Sequence, residues 1–319
     1  MSLARDSRFV AELRSRVAGE VRVEEPLARY TTYRIGGPAT LFLPSNVEDA
    51  AAGLAVAASA GVPVFPLGLG SNVLLPDAGL DALVLRLGKG IDQLDRKDGI
   101  WRLGAGLPAP LAARRTADAG WAGLHMMVGV PGTVGGGVYM NAGCHGGQWA
   151  DVVSRVTVLD RKGTLGERAR DQIPFRYRQS GLEDLVVVEA EVRLQPGDPA
   201  LLRTEVQRLF EWRQNGTPFN QPCCGSVFRN PDWPDGPPAP DMRTAGQLIE
   251  TVGLKGRRVG GAEVSTVHAN YFVNRGDATA ADVLVLIREA RAAVAGRFGV
   301  ELQPEVRILD SLGRVTALS

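Results

Sequence analysis

Apolar residues near the start of the chain recur with a helical period. Phe9, Val10, Leu13 and Val17 fall on one stripe, which predicts a helix from about Asp6 to Ala18. A second helix is predicted from Val47 to Ala60, with Ser45 and Glu48 fitting a capping box ahead of it and Gly61 followed by Pro63 supplying the stop. VPVFPL and GSNVLL then read as two strands about a tight turn, and Ala82 to Leu87 continues in β-rich residues. Pro108 to Ala119 reads as helix, and Val152 to Asp160 and Leu185 to Gln195 as strands. The run Gln195-Pro196-Gly197-Asp198-Pro199 is the best candidate domain boundary. Beyond it, Ala200 to Arg213 looks helical, Pro231 to Pro240 is a Pro/Asp-rich surface loop, and Thr244 to Val252 is a short helix stopped by Gly253. From Thr279 to Phe298 the positions Val283, Leu286, Ile287, Ala290 and Val294 follow the helical period, and Glu301 to Leu309 reads as a strand broken by Pro304.

One segment fits neither period. Between Gly129 and Gly147 the chain reads GVPGTVGGGVYMNAGCHGG, eight glycines in nineteen residues, a density that neither helix nor ordinary strand carries at acceptable entropic cost. Without Cβ atoms, successive N–H groups can converge on an anion such as a pyrophosphate. The alternative is a floppy surface loop. Val130, Pro131, Val134, Val138, Tyr139 and Met140 interleave the glycines with core-type residues, which favours a cofactor cradle over a polar linker.

Composition narrows the partners. The 319 residues, 45% hydrophobic, suffice for two or three packed domains. Lys plus Arg number 36 against 35 Asp plus Glu, so no broad field recruits nucleic acid or an anionic membrane, and small ligands are the expected partners. Charges interrupt the N-terminal residues throughout and no run reaches the length of a membrane span, so a cytosolic location is expected. Cys144, Cys223 and Cys224 are odd in number and form no CxxC, which argues against a disulfide framework and a zinc site and for reduced thiols.

The common nucleotide motifs do not match. LGLGSNVLL offers Gly68 and Gly70 but no third glycine of G-x-G-x-x-G, and β-like residues follow where a helix is required. GxxxxGK[ST] is absent. What remains is a pair of glycine-rich turns, Gly68 to Asn72 and Gly129 to Gly137, able to grip one extended cofactor from two sides.

The ordered segments TTYRIGGPA, GLGSNVLL, GVPGTVGGGVYMNAG, PFRYRQS, GSVFRNP, AGQLIETVGLKGRRVGGAEVSTVHANYFVN and LQPEVRIL resemble the UDP-N-acetylenolpyruvoylglucosamine reductase (MurB) family, in its shorter type II branch. The resemblance covers roughly Tyr33 to Leu309. It implies an α+β fold: an FAD-binding domain of the vanillyl-alcohol-oxidase (PCMH) type in two lobes, 1–80 and 81–197, and a C-terminal substrate-binding domain, 198–319. It also implies that NADPH reduces the FAD; a monomer is the expected assembly. Hydride would then pass to the enolpyruvyl methylene carbon of a UDP-sugar, giving UDP-N-acetylmuramate for peptidoglycan synthesis.

Hydride addition to that carbon drives negative charge onto the α-carbon and its carboxylate, so the reaction needs charge stabilisation and one proton. Arg178 in FRYRQS matches the family's active-site arginine, a fixed and always charged fork suited to a carboxylate. Glu305 in LQPEVRIL matches its catalytic glutamate, and Ser226 in GSVFRNP its proton donor. Singly, each has a plainer reading as a solvated strand-edge charge, a cation over a ring or a turn residue; it is their joint occurrence in these motifs that carries the catalytic reading. The same carry-over places Tyr33, Arg34, Ile35, Gly36, Gly68, Gly70, Ser71, Asn72, Val73, Gly129, Val130, Pro131, Gly132, Thr133, Gly135 and Asn141 at FAD, with a turn cap as the alternative for Asn141. Tyr177, Asn230, Lys255, His268 and Asn270 are the substrate candidates, His268 serving equally as a structural hydrogen-bonding residue. No metal is expected. The chain departs from the family at Cys144-His145, where Ala-Tyr is common, and at Cys223-Cys224. Asn215 to Pro218 is also less basic than usual. An oxidase on the same FAD fold and a non-catalytic flavin or nucleotide-sugar binder are the rival readings, both disfavoured by the trio Arg178, Ser226 and Glu305.

Overall fold

The computed structural model describes residues 3–233, 236–237 and 242–316; part of the Pro231 to Pro240 loop therefore lies outside the described residues. The chain folds into two compact units that interleave along the sequence. The first comprises residues 1–25, 39–69 and 81–212, the second residues 26–38, 70–80 and 213–319. This is a different division from three consecutive segments. The Gln195 to Pro199 run lies inside the first unit, where Gln195–Pro196 pairs antiparallel with Trp121–Ala122.

The first unit carries two sheets. One orders its strands Glu20–Pro26, Pro38–Leu43, Leu83–Arg86 and Val64–Leu67, with the last three parallel. The other is a five-stranded antiparallel sheet in the order Leu165–Ala169, Val153–Leu159, Val186–Arg193, Ile100–Gly104 and Leu94–Lys97. Its central strand alternates as a half-covered strand does, burying Val188, Ala190 and Val192 on one face. Helix Ser7–Arg16 buries Phe9, Val10 and Leu13 of the stripe read from the sequence, while Val17 falls just past its end as the extended C-cap.

Helix Val47–Ser59 forms as expected, but its cap lies one residue later than Ser45 and Glu48 suggested. Asn46 accepts from the Asp49 amide at 2.8 Å, and Asp49 reaches back to accept from the Ser45 amide at 2.9 Å. Asp49 also accepts from the Ala18 and Gly19 amides at 2.7 and 2.8 Å, a long-range task that an exposed Glu48 does not share.

The second unit has its own core, in which Tyr33, Ile35 and Leu74 pack with residues of the 224–308 region. Helix Ala280–Phe298 buries Val283, Leu286, Ile287, Ala290 and Val294; Thr279 and Asp282 form a capping box, and Gly299 ends it at φ 68°. Strands Arg258–Val259, Ala262–Val264 and Phe272–Asn274 make a three-stranded antiparallel sheet. The strand expected over Glu301 to Leu309 shrinks to Arg307–Ile308, which pairs parallel with Val73–Leu74. Ahead of it, Pro304 lacks the amide a ladder requires and makes only an isolated bridge with Phe228. GSNVLL accordingly does not extend the sheet of VPVFPL: the two flank a turn yet join different sheets.

The glycine-rich segment corrects the expectation that it cannot be helical. Val134–Tyr139 is a short α-helix, with Thr133 accepting from the Gly136 amide at 3.2 Å as its N-cap. Three consecutive glycines cost about 3 kcal/mol of helix propensity relative to alanine. Full burial of Val134 and Val138 contributes roughly 3–6 kcal/mol against that cost. The glycines are needed because neighbours press close: a Cβ on Gly137 would stand 2.3 Å from Trp149 Nε1, and one on Gly135 2.8 Å from the Ala105 Cβ. Tertiary packing here overrides propensity.

Candidate active site

Within the first unit, the two glycine-rich turns meet. A Cβ on Gly68 would fall 2.6 Å from Thr133 Oγ1, so the backbone at Gly68 lies flat against the cap of helix Val134–Tyr139. Arg86 donates to the Gly68 carbonyl from the neighbouring strand and fixes that bend from behind. The helix start is anchored independently, by the Val134 amide on the Leu107 carbonyl at 2.8 Å and the Gly135 amide on the Ala105 carbonyl at 2.9 Å.

Arg178 sits in the same unit on a two-residue turn closed by reciprocal Arg176 and Gln179 backbone bonds of 2.9 and 3.1 Å. Its φ is 57°, a left-handed conformation that costs a non-glycine residue free energy. The guanidinium donates to the Gly143 carbonyl at 3.0 Å and lies over the Tyr177 ring, 4.7 Å from its centroid. Tyr177 itself is exposed. Asn141, the third glycine-segment residue of interest, is buried at φ 43°. Its Nδ2 donates to the Gln148 side chain at 3.0 Å and the Arg176 carbonyl at 2.9 Å, and its Oδ1 accepts from the Ala150 amide at 2.9 Å. Its amide is thus engaged with the protein, and it braces the Arg178 turn.

In the second unit, Ser226 and Glu305 stand on adjacent extended segments. The Glu305 amide donates to the Val227 carbonyl at 2.8 Å, and Asn72 Nδ2 donates to the Glu305 carbonyl at 3.2 Å. On the other flank the Val227 amide donates to the Asn270 carbonyl at 2.8 Å. The Asn270 side chain accepts from the Phe228 amide at 2.9 Å and donates to its carbonyl at 2.8 Å. Asn270, a substrate candidate, is therefore the clamp that aligns the Ser226 segment. Lys255 pairs with Glu250 at 2.7 Å, and Asn230 accepts from the Ala245 amide at 3.2 Å at the start of helix Ala245–Thr251.

Around Ser226 the structure gathers groups that the sequence did not single out. The Tyr271 phenol accepts from Arg213, and the Val227 amide on the Asn270 carbonyl at 2.8 Å sets the Ser226 segment alongside the Tyr271 segment. His268 meets the Tyr271 ring edge-on, with centroids 5.0 Å apart. Its Nδ1 accepts from the Asn270 amide at 3.2 Å, which fixes the neutral tautomer with the proton on Nε2. Burial, then Arg213 and Lys255, push the imidazole below its ordinary value.

The other predicted cofactor residues of this unit form one knot. Gly70 has φ 62°, and a Cβ there would meet the Tyr30 carbonyl at 2.5 Å, so only glycine fits. Thr32 Oγ1 donates to the Cys223 carbonyl at 2.7 Å and the Gly70 carbonyl at 3.3 Å. Arg34 takes φ 55° ahead of Gly36 at φ 141°, while Ile35 is buried and its amide donates to Thr31 Oγ1 at 3.3 Å. The Tyr33 hydroxyl is buried against the Cys224 thiol, and burial pushes both groups well above their ordinary values. Cys223 is raised too, again chiefly by burial, so neither thiol of this pair is poised as a thiolate. Among the described residues no disulfide forms.

The residues fit an FAD. Gly68 and Gly70 sit in bends too tight for a Cβ, which would meet Thr133 Oγ1 at 2.6 Å and the Tyr30 carbonyl at 2.5 Å, so the backbone of both bends carries no side chain. Asn72 and Val73 follow directly, tied down by the Arg307 amide on the Asn72 carbonyl at 3.1 Å.

Family comparison agrees. Residues 38–167 match a family described as FAD binding domain, and residues 217–309 match one described as UDP-N-acetylenolpyruvoylglucosamine reductase, C-terminal domain. The UDP-N-acetylenolpyruvoylglucosamine reductase of Halalkalibacterium halodurans is 40% identical over 304 residues, covering 94% of this chain and 98% of that protein. That of Rubrobacter xylanophilus is 43% identical over 294 residues, covering 90% and 95%. The crystal structure of the Thermus caldophilus reductase superposes with a TM-score of 0.76 at 33% identity, over 91% of this chain and 99% of that one. Two matched domains in order and near-complete coverage of these relatives mean that this chain, an FAD-containing oxidoreductase of α+β fold, belongs to the UDP-N-acetylenolpyruvoylglucosamine reductase family.

Proposed function

We propose that the protein uses NADPH to reduce UDP-N-acetylglucosamine enolpyruvate to UDP-N-acetylmuramate, the lactyl ether required for peptidoglycan precursors. FAD held by the turns at Gly68 to Val73 and Gly129 to Gly135 would, once reduced, supply the hydride needed at the enolpyruvyl methylene carbon. The chain's own groups handle the charge and the proton. Arg178, whose guanidinium is held on a strained turn, recognises the substrate carboxylate as a fixed fork. Glu305 stabilises the enolate-like charge that develops on the α-carbon and carboxylate, and Ser226 gives the α-carbon its proton. Tyr177, Asn230, Lys255 and His268 take the UDP-sugar, while Asn270 contributes by aligning the Ser226 segment. In this reading 1–80 and 81–197 are the cofactor lobes and 198–319 the substrate domain, and the protein acts as a cytoplasmic monomer.

The observation that best supports this reading is the direct backbone bond from Glu305 to Val227, which sets a carboxyl and a hydroxyl on neighbouring segments. An anaerobic titration tests it. NADPH should bleach the yellow protein, and the enolpyruvyl UDP-sugar should restore the colour with one product formed per flavin. A mere binder does not bleach, and an oxidase recovers its colour with oxygen alone; either result overturns the proposal.

A further inference from the structure

Tyr271 is the group beside Ser226 that the chemistry above leaves unemployed. It is 4% exposed, and its backbone is fixed by its amide on the His268 carbonyl at 3.0 Å and its carbonyl accepting the Ser265 amide at 2.8 Å. The Ser226 segment runs beside it, through the Val227 amide on the Asn270 carbonyl at 2.8 Å, and Arg213 donates to the phenol oxygen, its guanidinium also lying over the ring at 5.2 Å from the centroid. If apolar filling were the only need, a phenylalanine would serve, since a buried hydroxyl is a cost until it is hydrogen-bonded. Here the hydroxyl is held by a permanent cation next to the serine segment.

We propose that Tyr271, held by Arg213, resupplies the proton that Ser226 gives away. When the Ser226 O–H bond breaks and a C–H bond forms at the substrate α-carbon, the Tyr271 O–H bond breaks and its proton bonds to Ser226 Oγ. The negative charge then rests on the phenol oxygen beside the Arg213 guanidinium. A proton from water returns it to the phenol, with no change of oxidation state in any of these groups. Tyr271 is thus a positioning and proton-supplying residue that acts through Ser226, and the inference rests on the reading of Ser226 as proton donor.

The physical reason is the weakness of serine as an acid. An alkoxide stranded in a half-buried site has no stabilising partner, whereas a phenol titrates near about 10 in water and here meets a fixed positive charge. Burial raises the Tyr271 value while Arg213 and Ser226 oppose the rise; the net direction is upward, so the resting group is a protonated donor. The other groups facing it are His268, held neutral, and Cys223, held as a thiol.

The test uses the holoenzyme with its flavin reduced beforehand by dithionite, mixed anaerobically with the enolpyruvyl UDP-sugar. Tyr271→Phe should slow flavin reoxidation about tenfold or more, and Ser226→Ala by a larger factor. The double variant should be no slower than Ser226→Ala alone, because a residue that acts only through the serine has nothing left to assist. Independently of turnover, the ultraviolet tyrosinate titration should lose one component in Tyr271→Phe, and that component should move to higher pH in Arg213→Gln. Wild-type reoxidation in Tyr271→Phe, or losses that multiply in the double variant, overturns the relay. Failure of the wild-type flavin to reoxidise at all overturns the parent reading, and the relay with it.

Discussion

Asn141 and Arg176 are joined by a 2.9 Å hydrogen bond from the Asn141 side-chain amide to the Arg176 carbonyl. Through it the glycine-rich segment grips the turn that carries Arg178, and both Asn141 and Arg178 pay for this geometry with left-handed backbones.

Removing that brace should loosen the turn. Asn141→Gly keeps the left-handed backbone accessible and deletes only the side chain, leaving the Ala150 amide and the Arg176 carbonyl without their partner. The expected loss is about 1–3 kcal/mol of stability, measured as a lower denaturant midpoint. An unchanged midpoint would mean that water replaces the amide at no cost.

Ser226→Ala should still let NADPH bleach the flavin while reoxidation by substrate falls on the order of a hundredfold or more, the usual loss for a general acid. Stopped-flow measurement of the two half-reactions separates them. Equal slowing of both contradicts a role in protonation.

Gly68→Ala should lower flavin occupancy, because its methyl would lie 2.6 Å from Thr133 Oγ1. Thr133→Ala removes that oxygen and should restore part of the occupancy, at a cost of about 1 kcal/mol for the lost helix cap. The ratio of flavin to protein absorbance in purified samples reads both effects. Full occupancy in Gly68→Ala would show that the cradle has slack.

Acid should destabilise the fold before its carboxylates titrate. His268 and His125 are both pushed below the ordinary value of 6.5, chiefly by burial. Each Nδ1 accepts a backbone amide, from Asn270 at 3.2 Å and from Gly123 at 3.1 Å, so protonation of that nitrogen breaks the bond. With folded values below unfolded ones, the unfolded chain takes up more protons as pH falls. Their contribution is complete above pH 6.5 and is lost progressively below it, through the depressed folded values. Melting temperatures recorded from pH 7.5 to 5.5 should decline, about these endpoints, and His268→Asn with His125→Asn should flatten the decline. A wild-type profile that is already flat contradicts the assignment.

Much of the fold is legible because local signals agree with it. Helix Ala280–Phe298 has a clear period whose apolar positions are the ones the structure buries, and the Thr279–Asp282 capping box and Gly299 in the structure point the same way. The glycine-rich helix is not legible, since its stability comes from Leu107, Ala105 and Trp149, whose proximity no local window reveals. Asn46 displaces Ser45 as cap for a similar reason, Asp49 being committed to residues some thirty positions away. At the site, the motif residues are readable one by one, whereas their supports are not. Arg213 and Tyr271 lie 58 positions apart, and nothing in their spacing announces that a cation meets a phenol. Asn270 reads as a ligand-binding amide because its chemistry is the same whether it faces a sugar or the Phe228 backbone.

The interleaving of the two units sets the order of events at the ribosome. Asn72 reaches Glu305 across 233 positions, and Val73–Leu74 finds its strand partner only in Arg307–Ile308. At about 5–20 residues per second, the early segment waits roughly 10–50 s for that partner to be synthesised. During this interval Tyr33, Ile35 and Leu74 lack the later side chains that bury them, so the nascent chain exposes these apolar residues until the 224–308 region has emerged. Chaperone demand during synthesis is thus written into the chain's threading rather than its composition.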